Sequence, residues 1–180
     1  MGARGWMINL SGRSIPVYGM QSNGAANSNR LGQLTNNECF IDGTAFGAGW
    51  EGVDTPVIFW NSNYQRTTGV VSESNVNFVD FSEYASDGQS WIKVNTLERK
   101  VQYNTVAYYA DGSKYCDLPS GSKVWLTPNA TRGQNNPHYV AVTAVQPKGG
   151  TKVNFSGNGF IDLMYGGRWV NVGSILLRKA

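Results

Sequence analysis

The sequence is poor in the residues from which most catalytic centres are built. It contains one histidine and two cysteines in 180 residues, and charged residues make up only 15%. No histidine cluster, closely spaced cysteine set or aspartate-rich loop indicates a metal site, and we expect no metal or other cofactor. No apolar run approaches the roughly 20 residues that span a bilayer, so we expect no membrane partner. The sequence therefore favours a protein that binds a partner without catalysing a reaction.

Signals for helices and for export are also scarce. No segment combines apolar residues at helical spacing with caps at both ends. No cationic start followed by an apolar stretch marks a secretory signal. A mature form, an excised fragment and a protein released by other means therefore all stay open.

Glycine, asparagine and aromatic residues are abundant instead. The chain has 22 glycines and 18 asparagines, and aromatic residues make up 12%. Turn sequences such as Asp87-Gly88 and Asp111-Gly112 separate short runs of β-branched and aromatic residues, which favour strands. The predicted strands are Ile15–Tyr18, Cys39–Ile41, Pro56–Trp60, Gly69–Val71, Val76–Phe81, Trp91–Val94, Val101–Tyr109, Val124–Leu126, Tyr139–Val145, Lys152–Phe155, Gly159–Tyr165 and Arg168–Leu177. Short strands joined by such turns predict an all-β protein.

Positive charge is concentrated in the last third of the chain. Residues 122–180 hold seven basic residues and one acidic residue, Asp162, whereas residues 1–74 and 75–121 have net charges of −1 and −2. This excess favours an anionic partner, such as a cell-wall polymer, and a solvated face that keeps the protein soluble is an equal alternative. The dense Lys/Arg clusters typical of nucleic-acid binding are missing, which argues against a nucleic-acid partner.

A weak internal repeat divides the chain. The run Ile15–Tyr18 in the first copy is similar to Lys123–Leu126 in the second. A second echo, in a different register, links Gly88–Val94 to Gly166–Val172. The repeat predicts a first small barrel at 8–74, a connecting β-segment at 75–121 and a second barrel at 122–180.

Three stretches of the first copy resemble a known family. The opening Pro16-Val17-Tyr18 is followed by Arg30–Leu34 and the strand Cys39–Ile41, and then by Val57–Asn63 with its return strand Gly69–Val71. This pattern resembles bacterial SH3-like (SH3b) modules, of the variety attached to peptidoglycan hydrolases and phage endolysins of Gram-positive hosts. The resemblance implies two SH3-like barrels and the non-covalent attachment of an enzyme or a virion to the cell wall.

The resemblance also implies a set of ligand-binding aromatic residues, since apolar sugar faces pack on such rings. Carried over by position, the candidates are Tyr18, Trp60, Tyr64, Trp125, His138, Tyr165 and Trp169. Trp50 joins them because its Gly-rich loop cannot bury it locally. The clearer pattern of the N-terminal copy favours that copy as the carrier of binding. The expected partner is a bacterial cell-wall polymer, and the expected location is extracellular or wall-associated.

Two alternative functions stay open. In the first, the chain is a phage virion protein, such as a capsid decoration or tail-tip adhesin, and its partners are other phage structural proteins. In the second, it is a small cysteine hydrolase that uses His138 with Cys39 or Cys116. Such enzymes place the cysteine at a helix N-terminus, whereas Cys39 is predicted in a strand and Cys116 in a turn. We expect both cysteines to be buried, unreactive thiols, although the sequence leaves their pairing open.

Overall fold

The structure is a computed structural model. It describes residues 5–43, 54–61, 65–72, 78–86, 91–102, 104–127, 139–162, 164–165, 168–169 and 176–178. Within these ranges the chain forms β-strands and short 3₁₀ turns, among them Phe81–Glu83, and contains no α-helix. The predicted all-β class is therefore confirmed. The chain divides into two compact units, residues 1–80 and 81–180.

The described residues of the first unit form one antiparallel sheet of seven strands. The strands are β1 (Trp6–Asn9), β2 (Ile15–Met20), β3 (Ala26–Leu34), β4 (Cys39–Asp42), β5 (Thr55–Trp60), β6 (Arg66–Val71) and β7 (Phe78–Asp80). Their order across the sheet is β3-β2-β6-β5-β4-β1-β7. The consecutive strands β4, β5 and β6 form a meander, and β1 and β2 flank it on opposite sides.

One face of the first sheet packs around an apolar core. The amide Nδ2 of the buried Asn9, at the end of β1, donates to the carbonyl oxygens of Leu34 and Thr35 at the end of β3, at 3.1 Å each. Strands that lie far apart in the sheet order are thereby joined, and the buried amide finds the partners it needs. The enclosed core consists of Met7, Ile15, Val17, Leu34, Phe40, Val57, Phe59 and Val71, with Phe78 packed against it.

A partly buried carboxyl group lies at the turn between β3 and β4. Glu38 Oε1 accepts a hydrogen bond from the Thr35 hydroxyl at 3.2 Å. Its Oε2 is buried and has no hydrogen-bond partner among the described residues. Burial, which disfavours the charged form, raises the pKa of Glu38 to about 7.

The second unit contains a sheet of seven strands and two small hairpins. The hairpins are β8 (Tyr84–Ser86) with β9 (Trp91–Lys93), and β16 (Met164–Tyr165) with β17 (Arg168–Trp169). The sheet consists of β10 (Glu98–Val101), β11 (Thr105–Tyr108), β12 (Lys114–Leu118), β13 (Lys123–Leu126), β14 (Tyr139–Gln146), β15 (Val153–Asp162) and β18 (Leu176–Arg178). Its order is β12-β11-β15-β14-β13-β10-β18.

The two large sheets have the same topology. Each strand of the second sheet takes the place of its counterpart in the first, so that β10 to β15 correspond to β1 to β6, and β18 corresponds to β7. The hairpin turn after β2 agrees in detail with the turn after β11. Gln21 donates its N–H to Ala25 at 2.7 Å, and Tyr109 donates to Ser113 at 2.8 Å. The chain is therefore a tandem repeat of one fold.

The turn before β4 has the same counterpart before β13. The N–H of Asn9 donates to the carbonyl of Glu38 at 3.0 Å, and that of Val101 donates to Ser122 at 2.8 Å. Because these bonds use only the backbone, the side chains at matched positions are free to differ. Asn37 and Gly121 occupy the same position in the two turns, and both adopt a positive φ, of 69° and 95° respectively.

The repeat has a different register from the one read in the sequence. The sequence echo paired Ile15–Tyr18 with Lys123–Leu126, but these runs lie in β2 and β13, whose structural counterparts are β11 and β4. The observed division falls after residue 80, and residues 98–118 supply three strands of the second sheet instead of a separate connecting segment. The identification of either unit as an SH3-like barrel stays a prediction.

A buried arginine takes the place of a core methionine in the second unit. Met7 pairs with Phe40 of β4, and Arg99 pairs with Val124 of β13, the counterpart of β4. Met7 and Arg99 therefore occupy equivalent positions. Arg99 is fully buried. Its guanidinium donates to the carbonyl oxygens of Thr96, Glu98, Ser82 and Tyr84 at 2.7, 2.8, 3.0 and 2.9 Å. These bonds fasten the segment that carries β8 onto the second sheet.

Candidate functional site

The residues predicted to bind ligand are distributed over both units. Tyr18 is half-buried on β2, opposite Arg30 of β3. Trp125 is half-buried on β13, and the ammonium of Lys152 lies 4.1 Å from the centroid of its ring. Backbone positions place Trp60 on β5, Tyr165 on β16 and Trp169 on β17. Trp50, Tyr64 and His138 lie outside the described residues.

An aromatic groove that the sequence analysis missed lies in the second unit. Three rings pack edge to face: Tyr109 and Tyr115 at a centroid distance of 5.0 Å, and Phe155 at 6.2 Å from Tyr109 and 5.4 Å from Tyr115. They line an open cavity of about 610 Å³. Tyr109 is 43% exposed, which is unusual for so large a side chain inside a cluster of rings. We call this cavity the aromatic groove.

A tight turn brings the two tyrosines together. Tyr109 and Tyr115 flank the turn Ala110–Ser113 that joins β11 to β12, and Gly112 adopts a positive φ of 89° within it. A glycine fits there because its missing Cβ removes the steric penalty of that conformation. The Asp-Gly turn is recognisable in the sequence, so the two flanking tyrosines were the signal that could have identified this side of the groove.

A bulge in β15 supplies the third ring. Val142 pairs with Gly159 and Ala144 with Asn154, so one residue of β14 lies opposite the four residues 155–158 of β15. The ring of Phe155 folds back over Gly159, and a Cβ added there would lie 2.6 Å from the ring. Gly159 is therefore required for the position of Phe155 in the groove.

The groove has a polar rim beside its aromatic wall. Asp111, Asn154, Ser156 and Asn158 are among its lining residues. Asp111 Oδ1 accepts hydrogen bonds from the hydroxyl and the N–H of Ser113, at 2.6 and 2.8 Å. Both bonds lower the pKa of Asp111 below its usual value, the bond from the hydroxyl more than the bond from the N–H. The carboxylate therefore stays charged at neutral pH. The site thus combines apolar rings with amide, hydroxyl and carboxylate groups.

The first unit has the same turn without the two tyrosine rings. By the matched hydrogen bonds, Gln21 occupies the place of Tyr109 and Asn27 the place of Tyr115. Gln21 donates its side-chain amide to the carbonyl of Ala26 at 2.7 Å. The described aromatic groove therefore belongs to the C-terminal copy, whereas the sequence favoured the N-terminal copy as the carrier of binding.

The two cysteines lie on strands of different units, and neither is in a disulfide. Cys39 is buried on β4. Cys116 lies on β12 instead of in the predicted turn, and it is half-buried instead of fully buried. Burial and then the nearby Asp117 raise the pKa of the Cys116 thiol, which favours its protonated, less nucleophilic form.

The described residues contain no candidate metal site and no candidate membrane-spanning helix. No group of three or more histidine, cysteine or acidic side chains is placed to hold a metal ion in this part of the chain. None of its helices has the length and apolar character needed to cross a membrane. No protein family, no curated protein and no solved structure matches the chain.

Proposed function

We propose that the chain is a non-catalytic module that binds the peptidoglycan or a glycan of a bacterial cell wall. In this role it would be the targeting part of a hydrolase directed at Gram-positive cells or of a phage endolysin. Its place of action is then outside the cell, on the wall. The observation that carries the proposal is the aromatic groove, with its three rings and polar rim.

The chemistry of the groove suits a sugar. A pyranose ring has apolar C–H faces, which pack on aromatic side chains, and a periphery of hydroxyl groups, which need donors and acceptors. The rings of Tyr109, Tyr115 and Phe155 supply the aromatic surface for the C–H faces, and Asp111 and Asn154 contribute hydrogen-bonding groups for the hydroxyls. A volume of about 610 Å³ falls within the range of about 300–1,000 Å³ that is usual for small-ligand sites.

Two other observations support a binding role. The first copy resembles SH3b modules, whose work is attachment to the wall. Both cysteines lie on strands, away from the helix N-terminus that lowers the pKa of catalytic thiols, and the pKa of Cys116 is raised instead.

Pull-down with purified peptidoglycan tests the proposal. The sacculi are first stripped of anionic polymers with acid, so that phosphate polymers of the wall do not contribute to binding. We expect the wild-type chain to sediment with them, and Tyr109→Ala or Tyr115→Ala to weaken binding at least tenfold, which corresponds to about 1.4 kcal/mol. Gln21→Ala changes the matched position of the first copy and is the control, with binding unchanged.

The outcomes separate the possibilities. If both tyrosine variants fold and bind like the wild type, the groove is not the binding site. If the wild-type chain binds no wall preparation, the proposed function is wrong and the virion-protein alternative leads. Circular dichroism of each variant establishes that the fold is intact.

A further inference from the structure

A row of lysines crosses four neighbouring strands of the second sheet. Lys100 of β10 lies directly opposite Lys123 of β13, and Lys123 lies opposite Gln146 of β14. Val145 of β14 pairs with Val153 of β15. Continuing this register by one residue places Lys152, just before β15, opposite Gln146. Directly opposite residues point to the same face of a sheet, so the three lysines share one face. We call them the lysine row.

The lysine row has an excess of positive charge. Among the described residues, the carboxylate paired with it is Glu98, whose Oε1 lies 3.6 Å from the Lys123 ammonium. Lys100 and Lys152 are exposed. Like charges directly opposite each other in a sheet are destabilising, and an anion bound across them removes the repulsion.

A fourth lysine extends the same end of the sheet. Lys148 lies in the turn between β14 and β15, and its N–H donates to the Ser122 hydroxyl at 3.0 Å. Its stem packs over Gly121, where a Cβ would lie 3.1 Å from the Lys148 Cδ. The β12–β13 turn thus holds the exposed Lys148 against Gly121 and Ser122, which precede Lys123 in the chain.

The lysine row runs beside the aromatic groove. In the adjacent row, Trp125 pairs with Ala144, and Ala144 pairs with Asn154, which lines the groove. Trp125 and Asn154 therefore share the face of the lysine row, about 10 Å apart at the usual strand spacing. The Lys152 ammonium lies over the Trp125 ring, 4.1 Å from its centroid, and this contact joins the two rows.

We propose that the lysine row binds a phosphodiester-linked, polyanionic wall polymer that runs past the groove. Three strand spacings separate Lys100 from Lys152, or about 14 Å, so successive charges of one chain fit the row better than one small anion does. Lysine ammonium groups bind phosphate as point charges. That the polymer belongs to a cell wall rests on the proposed function, whereas the anion site itself does not depend on the groove.

Binding of poly(glycerol phosphate) to the full chain tests this site. At low salt we expect saturable binding that weakens as salt rises, because exposed charges are screened over about 10 Å at 0.1 M salt and about 3 Å at 1 M. The triple variant K100Q/K123Q/K152Q should lose at least tenfold in affinity. It should still sediment with acid-stripped peptidoglycan.

A charge-matched variant controls for net charge. R13Q/R30Q/K93Q removes the same charge from exposed positions elsewhere, and we expect its affinity for the polymer to stay within about twofold of the wild type. An equal loss in both triple variants overturns the site, since net charge alone then explains the binding. Tighter binding of single-stranded DNA than of poly(glycerol phosphate) also overturns it, in favour of a nucleic-acid ligand.

The failures of the two proposals are distinguishable. A chain that binds stripped peptidoglycan but no poly(glycerol phosphate) overturns the lysine row and leaves the groove proposal standing. A chain that binds the polymer through the row but no stripped peptidoglycan supports the row and refutes sugar binding in the groove.

Discussion

Replacing Arg99 with alanine should destabilise the second unit, because four backbone carbonyl groups depend on its guanidinium. The bond to Ser82 is buried, and those to Thr96, Glu98 and Tyr84 are partly buried. A buried acceptor left unpaired costs about 1–3 kcal/mol, and a partly buried one costs less because water can replace the donor. Truncating a fully buried side chain adds the cost of a cavity.

The charge of Arg99 acts in the opposite direction. Burial lowers the pKa of Arg99 to about 10, so the guanidinium is still charged at neutral pH. Its desolvation costs several kcal/mol, and burial alone shifts its pKa, with no contribution from a carboxylate of the described residues. Removing the charge recovers part of the loss, and we expect a net destabilisation of about 2–4 kcal/mol for Arg99→Ala. Arg99→Met, which introduces the residue of the first copy, fills the space and should cost about half as much.

Urea denaturation and hydrogen exchange measure the effect. For a unit of this size, a loss of about 2–4 kcal/mol lowers Tm by roughly 10–25 °C. Amides of residues 81–101 should lose protection, and those of residues 5–43 should keep theirs. Lys100→Ala, at the next and exposed position, is the control and should stay within about 0.5 kcal/mol of the wild type. A loss below about 1 kcal/mol for Arg99→Ala would refute the reasoning.

Three further predictions concern single side chains. Gly121→Asn should cost less than Gly121→Ala by about 1 kcal/mol in denaturation, because asparagine tolerates the positive φ of 95°. The raised pKa of Glu38 means that its protonated form favours folding. The stability of the first unit should therefore fall by about 2–3 kcal/mol as pH rises from about 4.5 to about 7, and Glu38→Gln should abolish this dependence in pH-resolved melting. Cys39→Ser should cost about 1–3 kcal/mol and Cys116→Ser less, with wall binding retained in both; lost binding in a folded variant would favour the hydrolase alternative.

Strands rich in buried β-branched residues are easier to predict from this sequence than polar strands. Strands such as β5 and β14 are rich in buried β-branched residues, and the sequence pattern found them. Five strands were missed: β1, β3, β8, β10 and β12. Of these, β3 and β12 are outermost strands of their sheets, and most of their residues are exposed or half-buried. An edge strand faces solvent on one side, so its polar sequence resembles a loop.

The aromatic groove could be predicted only in part. The tyrosines that flank the Asp-Gly turn are local, and the turn fixes their proximity. Phe155 reaches them through the bulge opposite Thr143, and the contact depends on the pairing of β15 with β14 and β11. Such a register comes from tertiary structure, which periodicity along one strand does not encode. The lysine row depends in the same way on cross-strand pairing.

The difference between Met7 and Arg99 has a consequence for folding. Two neighbouring copies of one topology can misassemble if a strand of one copy enters the sheet of the other. If β10 took the place of β1, Arg99 would enter the apolar core around Met7 without the carbonyl groups of Ser82 and Tyr84. An unpaired buried charge is strongly unfavourable, so the exchanged pairing would be unstable. The arginine thus restricts β10 to its own copy while both copies keep the same backbone plan.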